Sequence, residues 1–160
     1  LRALERAKTA RLSGYPLEFI FLGSVYSEPE ARLLFQFNSL DNIHIQNRRY
    51  TDSEKWIELR RSDLVWLLYP HYLYTSGVLL DSAVARKPVL AYDFGSIGSL
   101  VRRYQLGPLV PPGTDDRQTC EAVCEFARYM DTHVPDFDGL LDSHHPRHLI
   151  RTIARVVEHW

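Results

Sequence analysis

A polar loop and the helix start that follows it, residues 69–77, carry the side chains best suited to hold a ligand. Ser76 and Gly77 open the helix, and glycine lets a ligand come close to the backbone. Free N–H groups and the helix dipole favour an anion there, such as phosphate. His71 lies in the loop and can donate a hydrogen bond to a phosphate or a hydroxyl. The alternative is structural, with Ser76 as a helix cap and His71 as an exposed loop residue.

A second loop, residues 93–98, also contains glycine and serine, with the sequence Asp-Phe-Gly-Ser-Ile-Gly. This loop also runs into a helix, and we expect Ser96 to cap that helix and to face the same ligand. Gly95 and Gly98 can equally be ordinary turn residues. Neither a Gly-x-Ser-x-Gly hydrolase elbow nor a Walker loop occurs in the sequence, so it indicates neither chemistry.

Alternating strands and helices must position the two loops. Five short apolar runs are predicted as strands, at residues 17–23, 43–47, 64–68, 88–92 and 109–110. Helices are predicted at residues 1–12, 27–38, 51–61, 76–86, 96–104, 114–130 and 149–160, with a loop over 131–146. Strands joined by such helices lie parallel, and ligands bind beyond their carboxyl ends, where both loops lie. The first strand should be buried, and 43–47 should lie near the sheet edge.

Length and composition fit one globular α/β domain. A chain of 160 residues with 45% hydrophobic content can form a full core. A net charge of −1 argues against nucleic-acid binding, and no apolar run approaches the roughly 20 residues needed to cross a bilayer. Two cysteines predict a reduced, cytoplasmic setting, with the inner face of a membrane as the alternative location. His144, His145 and His148 have metal-ligand spacing, but no Cys or carboxylate completes a set, and we predict no metal.

The central segment resembles a known family of enzymes. Its pattern is Ser-Gly-Val-Leu-x3-Ala-x3-Lys-Pro-Val-Leu-Ala-x-Asp-x-Gly-x-Ile-Gly-x-Leu-Val, from Ser76 to Val101. This pattern resembles the donor-binding half of GT-B glycosyltransferases, in particular glycosyl transferase group 1 (family 4), over about Leu17 to Tyr129. The resemblance implies a Rossmann-like three-layer α/β/α sandwich with a mostly parallel sheet. It also implies that this half binds a nucleotide-sugar, without a cofactor or an obligatory metal, and that a separate N-terminal domain of the same polypeptide binds the acceptor.

The resemblance also assigns roles to acidic positions. The family carries a Glu-x7-Glu pair, and its second Glu falls on Asp81, which would accept hydrogen bonds from the ribose hydroxyls. A solvated helix residue is the alternative. The first Glu, which steadies the donor sugar, falls on Leu73. Its loss leaves three possibilities: other residues replace it, with His71, Tyr74 and Thr75 as candidates, or the donor has changed, or the domain is catalytically dead.

The turn after the second strand, Arg48-Arg49-Tyr50, matches the part of the family that borders the nucleotide base. Tyr50 would stack on the base and Arg49 would pair with a phosphate, unless the turn is merely solvated. Ser96 would face the pyrophosphate or the sugar of the donor.

We therefore predict a donor-binding domain of a glycosyltransferase of carbohydrate metabolism, retaining in most relatives, with an unidentified acceptor. Residues 1–160 would be a fragment that lacks the N-terminal domain. It would also lack the strand with which the family's donor-binding domain begins, together with the basic Gly-rich turn after that strand, and would not catalyse the reaction alone. The alternative is a degenerate, non-catalytic domain used for binding or assembly. An unrelated doubly wound enzyme is disfavoured because Leu22-Gly23-Ser24-Val25 is not a Gly-x-Gly-x-x-Gly fingerprint.

Overall fold

The structure, a computed structural model, describes residues 11–12, 15–37, 41–69 and 71–148. Strands and helices alternate over most of this length. The strands are β1 Arg11–Leu12, β2 Tyr15–Pro16, β3 Phe19–Gly23, β4 Ile43–Asn47, β5 Val65–Leu67, β6 Val89–Tyr92 and β7 Leu109–Val110. The helices are α1 Glu28–Phe37, α2 Asp52–Arg61, α3 Gly77–Val84, α4 Gly95–Tyr104, α5 Asp116–Cys124, α6 Phe126–Thr132 and α7 Phe137–Ser143.

The parallel strands form two sheets rather than the single sheet that we expected. Among the described residues β4 pairs only with β3, in agreement with its predicted position near the sheet edge, while β5, β6 and β7 form a parallel sheet in that order. Among the described residues, no backbone hydrogen bond joins β3 to β5. The sheets nevertheless lie close together, because Leu17 packs against the cluster around Leu90. The Phe19 ring also meets the Trp66 ring edge-on, with centroids 6.2 Å apart.

Helices cover both faces of the β5–β7 sheet. Val89 and Ala91 of β6 belong to a hydrophobic cluster that includes residues of α3, α4 and α7. Leu90, which lies between them, belongs to a second cluster with Val123 of α5. Neighbouring strand residues face opposite sides, so α3, α4 and α7 lie on one face and α5 on the other. The predicted Rossmann-like α/β/α architecture, with mostly parallel strands, is therefore confirmed.

β3 is less buried than its apolar sequence predicts. Ile20 and Phe21 are each more than one third exposed, and so is Trp66 on β5. The prediction of a buried first strand is therefore wrong for these side chains. Within the described part of the chain, β3 has a paired strand on one side only, so fewer side chains pack beside it than beside a central strand.

The structure also corrects the predictions for the two ends of the chain. Within the predicted helix over 1–12, residues 11–12 form β1, which pairs antiparallel with β2, and the preceding residues lie outside the described part. The predicted loop over 131–146 contains the end of α6 and all of α7. Asp136 caps α7 by accepting a hydrogen bond from the Gly139 N–H at 2.8 Å, and Phe137 and Leu140 are buried.

The predicted helix over 114–130 is interrupted. It divides at Glu125 into α5 and α6, and Asp115 provides the cap of α5. The helix predicted over 149–160 lies outside the described residues.

Candidate functional site

Three loops converge where strands end and helices begin. β4, β5 and β6 are each followed by a loop and then by the start of α2, α3 or α4. Tyr69, which follows β5, is half-buried at the edge where these loops begin. Burial raises the pKa of Tyr69, the hydrogen bond with Ser76 lowers it, and the neighbouring tyrosines Tyr72 and Tyr50 raise it further.

The start of α3 is capped by the side chain of Ser76, and its backbone at Gly77 is accessible to a ligand. Ser76 is buried, and its hydroxyl accepts a hydrogen bond from the Val78 N–H at 3.2 Å, as the structural alternative for this residue requires. Gly77 is exposed, and no heavy atom lies within 4 Å of the position that a Cβ would take. A ligand can therefore approach the backbone at Gly77, whereas the Ser76 hydroxyl is already engaged.

The loop between β5 and α3 presents aromatic rings. The ring of Tyr72 meets those of Tyr69 and Tyr74 edge-on, with centroids 5.7 and 6.1 Å away. Tyr74 is 73% exposed, and His71 and Thr75 are also exposed. The three candidates for replacing the missing Glu therefore lie on one solvent-facing loop.

The second loop is joined to the first. The Ser96 N–H donates a hydrogen bond to the Leu73 carbonyl at 3.1 Å. Gly95 has a φ of 61°, and a Cβ there would lie 2.9 Å from the Tyr72 carbonyl oxygen, so only glycine fits between the loops. The predicted capping role of Ser96 is wrong, because α4 begins at Gly95 and Phe94 is the N-cap, without a side-chain hydrogen bond.

Asp81 has a partner that sequence reasoning missed. The Nζ of Lys55, on α2, lies 2.9 Å from Oδ2 of Asp81, on α3, and 3.4 Å from Oδ1 of Asp52. Hydrogen bonds to these carboxylates, chiefly that of Asp81, raise the pKa of the Lys55 ammonium. The two residues of the main pair are 26 positions apart, and no local pattern in the sequence connects them.

Some residues of the turn before α2 form hydrogen bonds within the protein, and others are exposed. Arg48 donates to Glu54 at 2.7 Å, and Glu54 completes a capping box with Thr51. The hydrogen bond from Arg48, followed by those from Thr51, lowers the pKa of Glu54 to about 2. Arg49 and Tyr50 are exposed, so they remain accessible as the candidate phosphate and base contacts.

Glu54→Gln tests this arrangement through pH. Glutamine keeps the geometry of a capping box but carries no charge. The folded pKa lies below the ordinary 4.5, so the charge stabilises the fold above about pH 5 and this contribution is lost as the pH falls towards 2. We expect the variant to melt below the wild type at pH 7, with a gap that shrinks on acidification. A gap that stays constant from pH 7 to pH 3 contradicts this, and Glu121→Gln on α5 serves as the control.

Two kinds of feature are not found in the part of the chain that the structure describes. No group of three or more His, Cys, Asp or Glu side chains there could hold a metal ion. His144, His145 and His148 follow α7, where the Nδ1 atom of His144 lies 2.9 Å from the Ser143 hydroxyl. None of the described helices is both long enough and apolar enough to cross a bilayer.

The comparisons with known proteins bear on the fold. No protein-family model and no curated protein matches the chain. A solved structure, that of Anabaena Alr3699/HepE in complex with UDP-glucose, is similar, with a TM-score of 0.55 and 18% sequence identity. The fold of this chain is therefore similar to that of the matched part of HepE. The match covers 99% of this chain but only 45% of HepE, so the chain spans less than half the length of that structure. At this identity the likeness extends to the fold alone, and membership of family 4 stays a prediction.

Proposed function

We propose that this chain is the donor-binding domain of a glycosyltransferase similar to family 4, and that it holds a nucleotide-sugar at the starts of α2, α3 and α4. The observation that carries the proposal is the open backbone at Gly77, at the ligand-binding edge of a fold whose similar structure was solved with UDP-glucose. Parallel α/β sheets bind ligands beyond the carboxyl ends of their strands, and helix N–H groups suit a diphosphate.

Each candidate residue has a role in this proposal. The backbone at Gly77 and the Ser96 hydroxyl, in the first turn of α4, bind the diphosphate, with Arg49 as an additional cation. Asp81 accepts from the ribose, and Tyr50 stacks on the base. His71, Tyr74 and Thr75 face the donor sugar. Sugar transfer would then depend on positioning of the donor and on stabilisation of the leaving diphosphate.

The proposal further holds that the chain is one half of a two-domain enzyme. The match to 45% of HepE supports a second half that would bind the acceptor. The separation of β3 from β5 supports an additional strand between the two sheets. In this proposal the donor site is completed by that strand and by the acceptor domain, so the chain alone would bind a donor without transferring its sugar.

A non-catalytic domain is the second candidate function. Leu73 stands where the family has its first Glu, and no acidic residue lies between Asp63 and Asp81. The Leu73 side chain is 55% exposed, so an apolar group faces solvent at the position of the sugar-steadying carboxylate. A domain of this kind would bind the donor and retain no transfer activity in the complete protein.

The test is a calorimetric titration of the full chain with nucleoside diphosphates and nucleotide-sugars, beginning with UDP and UDP-glucose. We expect one diphosphate to bind selectively and Asp81→Ala to weaken it about tenfold or more. Gly77→Ala should also weaken binding, because its methyl group occupies the space that the ligand needs. The same variant should leave the melting temperature unchanged or slightly higher, since alanine favours a helix more than glycine does.

Asp131→Asn, which alters an exposed carboxylate on α6, is the control and should bind like the wild type. If no nucleotide binds to the chain, the titration is repeated on a polypeptide extended at its amino end. Absence of binding there as well refutes the proposal. Binding to the complete protein without sugar transfer to any acceptor would favour the non-catalytic candidate.

A further inference from the structure

Lys55 and Asp81 form the least exposed ion pair at the candidate site. Their side chains are 22% and 27% exposed, whereas the second partner of Lys55, Asp52, is 89% exposed. The Nζ–Oδ2 distance of 2.9 Å is that of a charge-assisted hydrogen bond. The pair joins α2 to α3 one helical turn from the start of each helix. It therefore fixes the relative position of the two helices at the edge where the ligand is proposed to bind.

We propose that Lys55 is a positioning residue for ribose recognition: it holds Asp81 through Oδ2 and leaves Oδ1 to accept a hydrogen bond from a ribose hydroxyl. This inference rests on the proposed function. An ionised carboxylate has two oxygens and about four acceptor sites, so one ammonium does not exhaust it. Holding one oxygen also restricts the carboxylate to a single rotamer, as a selective hydroxyl contact requires.

The geometry of α3 supports this role. Gly77 and Asp81 are four residues apart, so they lie on the same helix face, separated by about 6 Å along the axis. The space outside Gly77 is open. A nucleotide whose diphosphate lies at the helix start can therefore extend along this face until its ribose reaches Asp81.

A purely structural link between the two helices is the alternative, and ribose selectivity distinguishes it. The experiment measures dissociation constants of the full chain for UDP and for 2′-deoxy-UDP by calorimetry. Wild type should prefer the ribonucleotide. We expect Lys55→Met to weaken binding of the ribonucleotide about tenfold and binding of the deoxynucleotide less than about twofold. Lys55→Arg keeps a cation and should recover most of the preference, while Lys87→Met, beyond the far end of α3, should leave it unchanged.

Each outcome decides between the possibilities. If Lys55→Met weakens both nucleotides equally, Lys55 acts only as a helix-to-helix link and the inference is wrong. If wild type binds both nucleotides equally, Asp81 does not recognise the 2′-hydroxyl and the inference fails, while the proposed donor site stands. If wild type binds no nucleotide, with or without the amino-terminal extension, the proposed function fails and the inference fails with it.

Discussion

Replacing Gly107 with alanine is expected to lower the free energy of unfolding by about 4 kcal/mol or more, or to prevent folding. Gly107 lies between α4 and β7, and an added Cβ would lie 1.9 Å from the carbonyl oxygen of Val89. That oxygen belongs to the backbone of β6, the middle strand of its sheet, and cannot move aside as a flexible side chain would. Denaturant unfolding followed by circular dichroism measures the change.

Gly77→Ala is the matched control for this experiment. The same methyl group is added there, but nothing lies within 4 Å of it. We expect this variant to differ from the wild type by no more than about 1 kcal/mol. A Gly107→Ala variant with near wild-type stability would show that the connection between α4 and β7 does not approach β6 as described.

Leu140→Ala should be the second most damaging substitution, with a loss of about 2–5 kcal/mol in the free energy of unfolding. Leu140 lies on α7, is fully buried, and belongs to the core cluster that contains Val89 and Ala91 of β6. Truncation removes buried apolar area and leaves a cavity that the surrounding side chains fill only in part. Thermal and denaturant unfolding of the purified variant give the magnitude.

The result also decides between two descriptions of residues 131–146. If this stretch were the solvent-exposed loop that the sequence indicates, Leu140→Ala would cost about as little as a surface substitution. Leu73→Ala provides that reference, because Leu73 is a leucine in a true loop and is 55% exposed. Similar losses for both variants would contradict the packing of α7 against the core.

The segment from β5 to α4 could be predicted from the sequence because each of its boundaries carries a local signal. Ser76 supplies an N-cap for α3, and Pro88 separates that helix from β6. The capping box of Thr51 and Glu54 likewise predicts the start of α2 correctly. Such signals depend on neighbours within four residues, which a sequence displays directly.

The remaining features depend on contacts that no local pattern encodes. The Lys55–Asp81 pair and the separation of β3 from β5 arise from the packing of distant segments. α7 was missed because proline, glycine and histidine around it indicate a loop, while its two buried residues are stabilised by the core. In the candidate site, residue type predicts ligand contacts for Ser76 and Ser96, yet the Ser76 hydroxyl and the Ser96 N–H form hydrogen bonds within the protein.

The hydrogen bond between Ser96 and Leu73 has a consequence for the thermodynamics of binding. A flexible loop loses conformational entropy when a ligand orders it, and this loss reduces the affinity. Here the two loops are already ordered against each other, with the backbone at Gly95 packed under Tyr72. Most of the ordering cost is therefore met during folding, and a ligand meets a preorganised surface. Affinity at this edge is consequently linked to the stability of the α4 start, so a mutation that loosens this junction should weaken binding without touching the ligand.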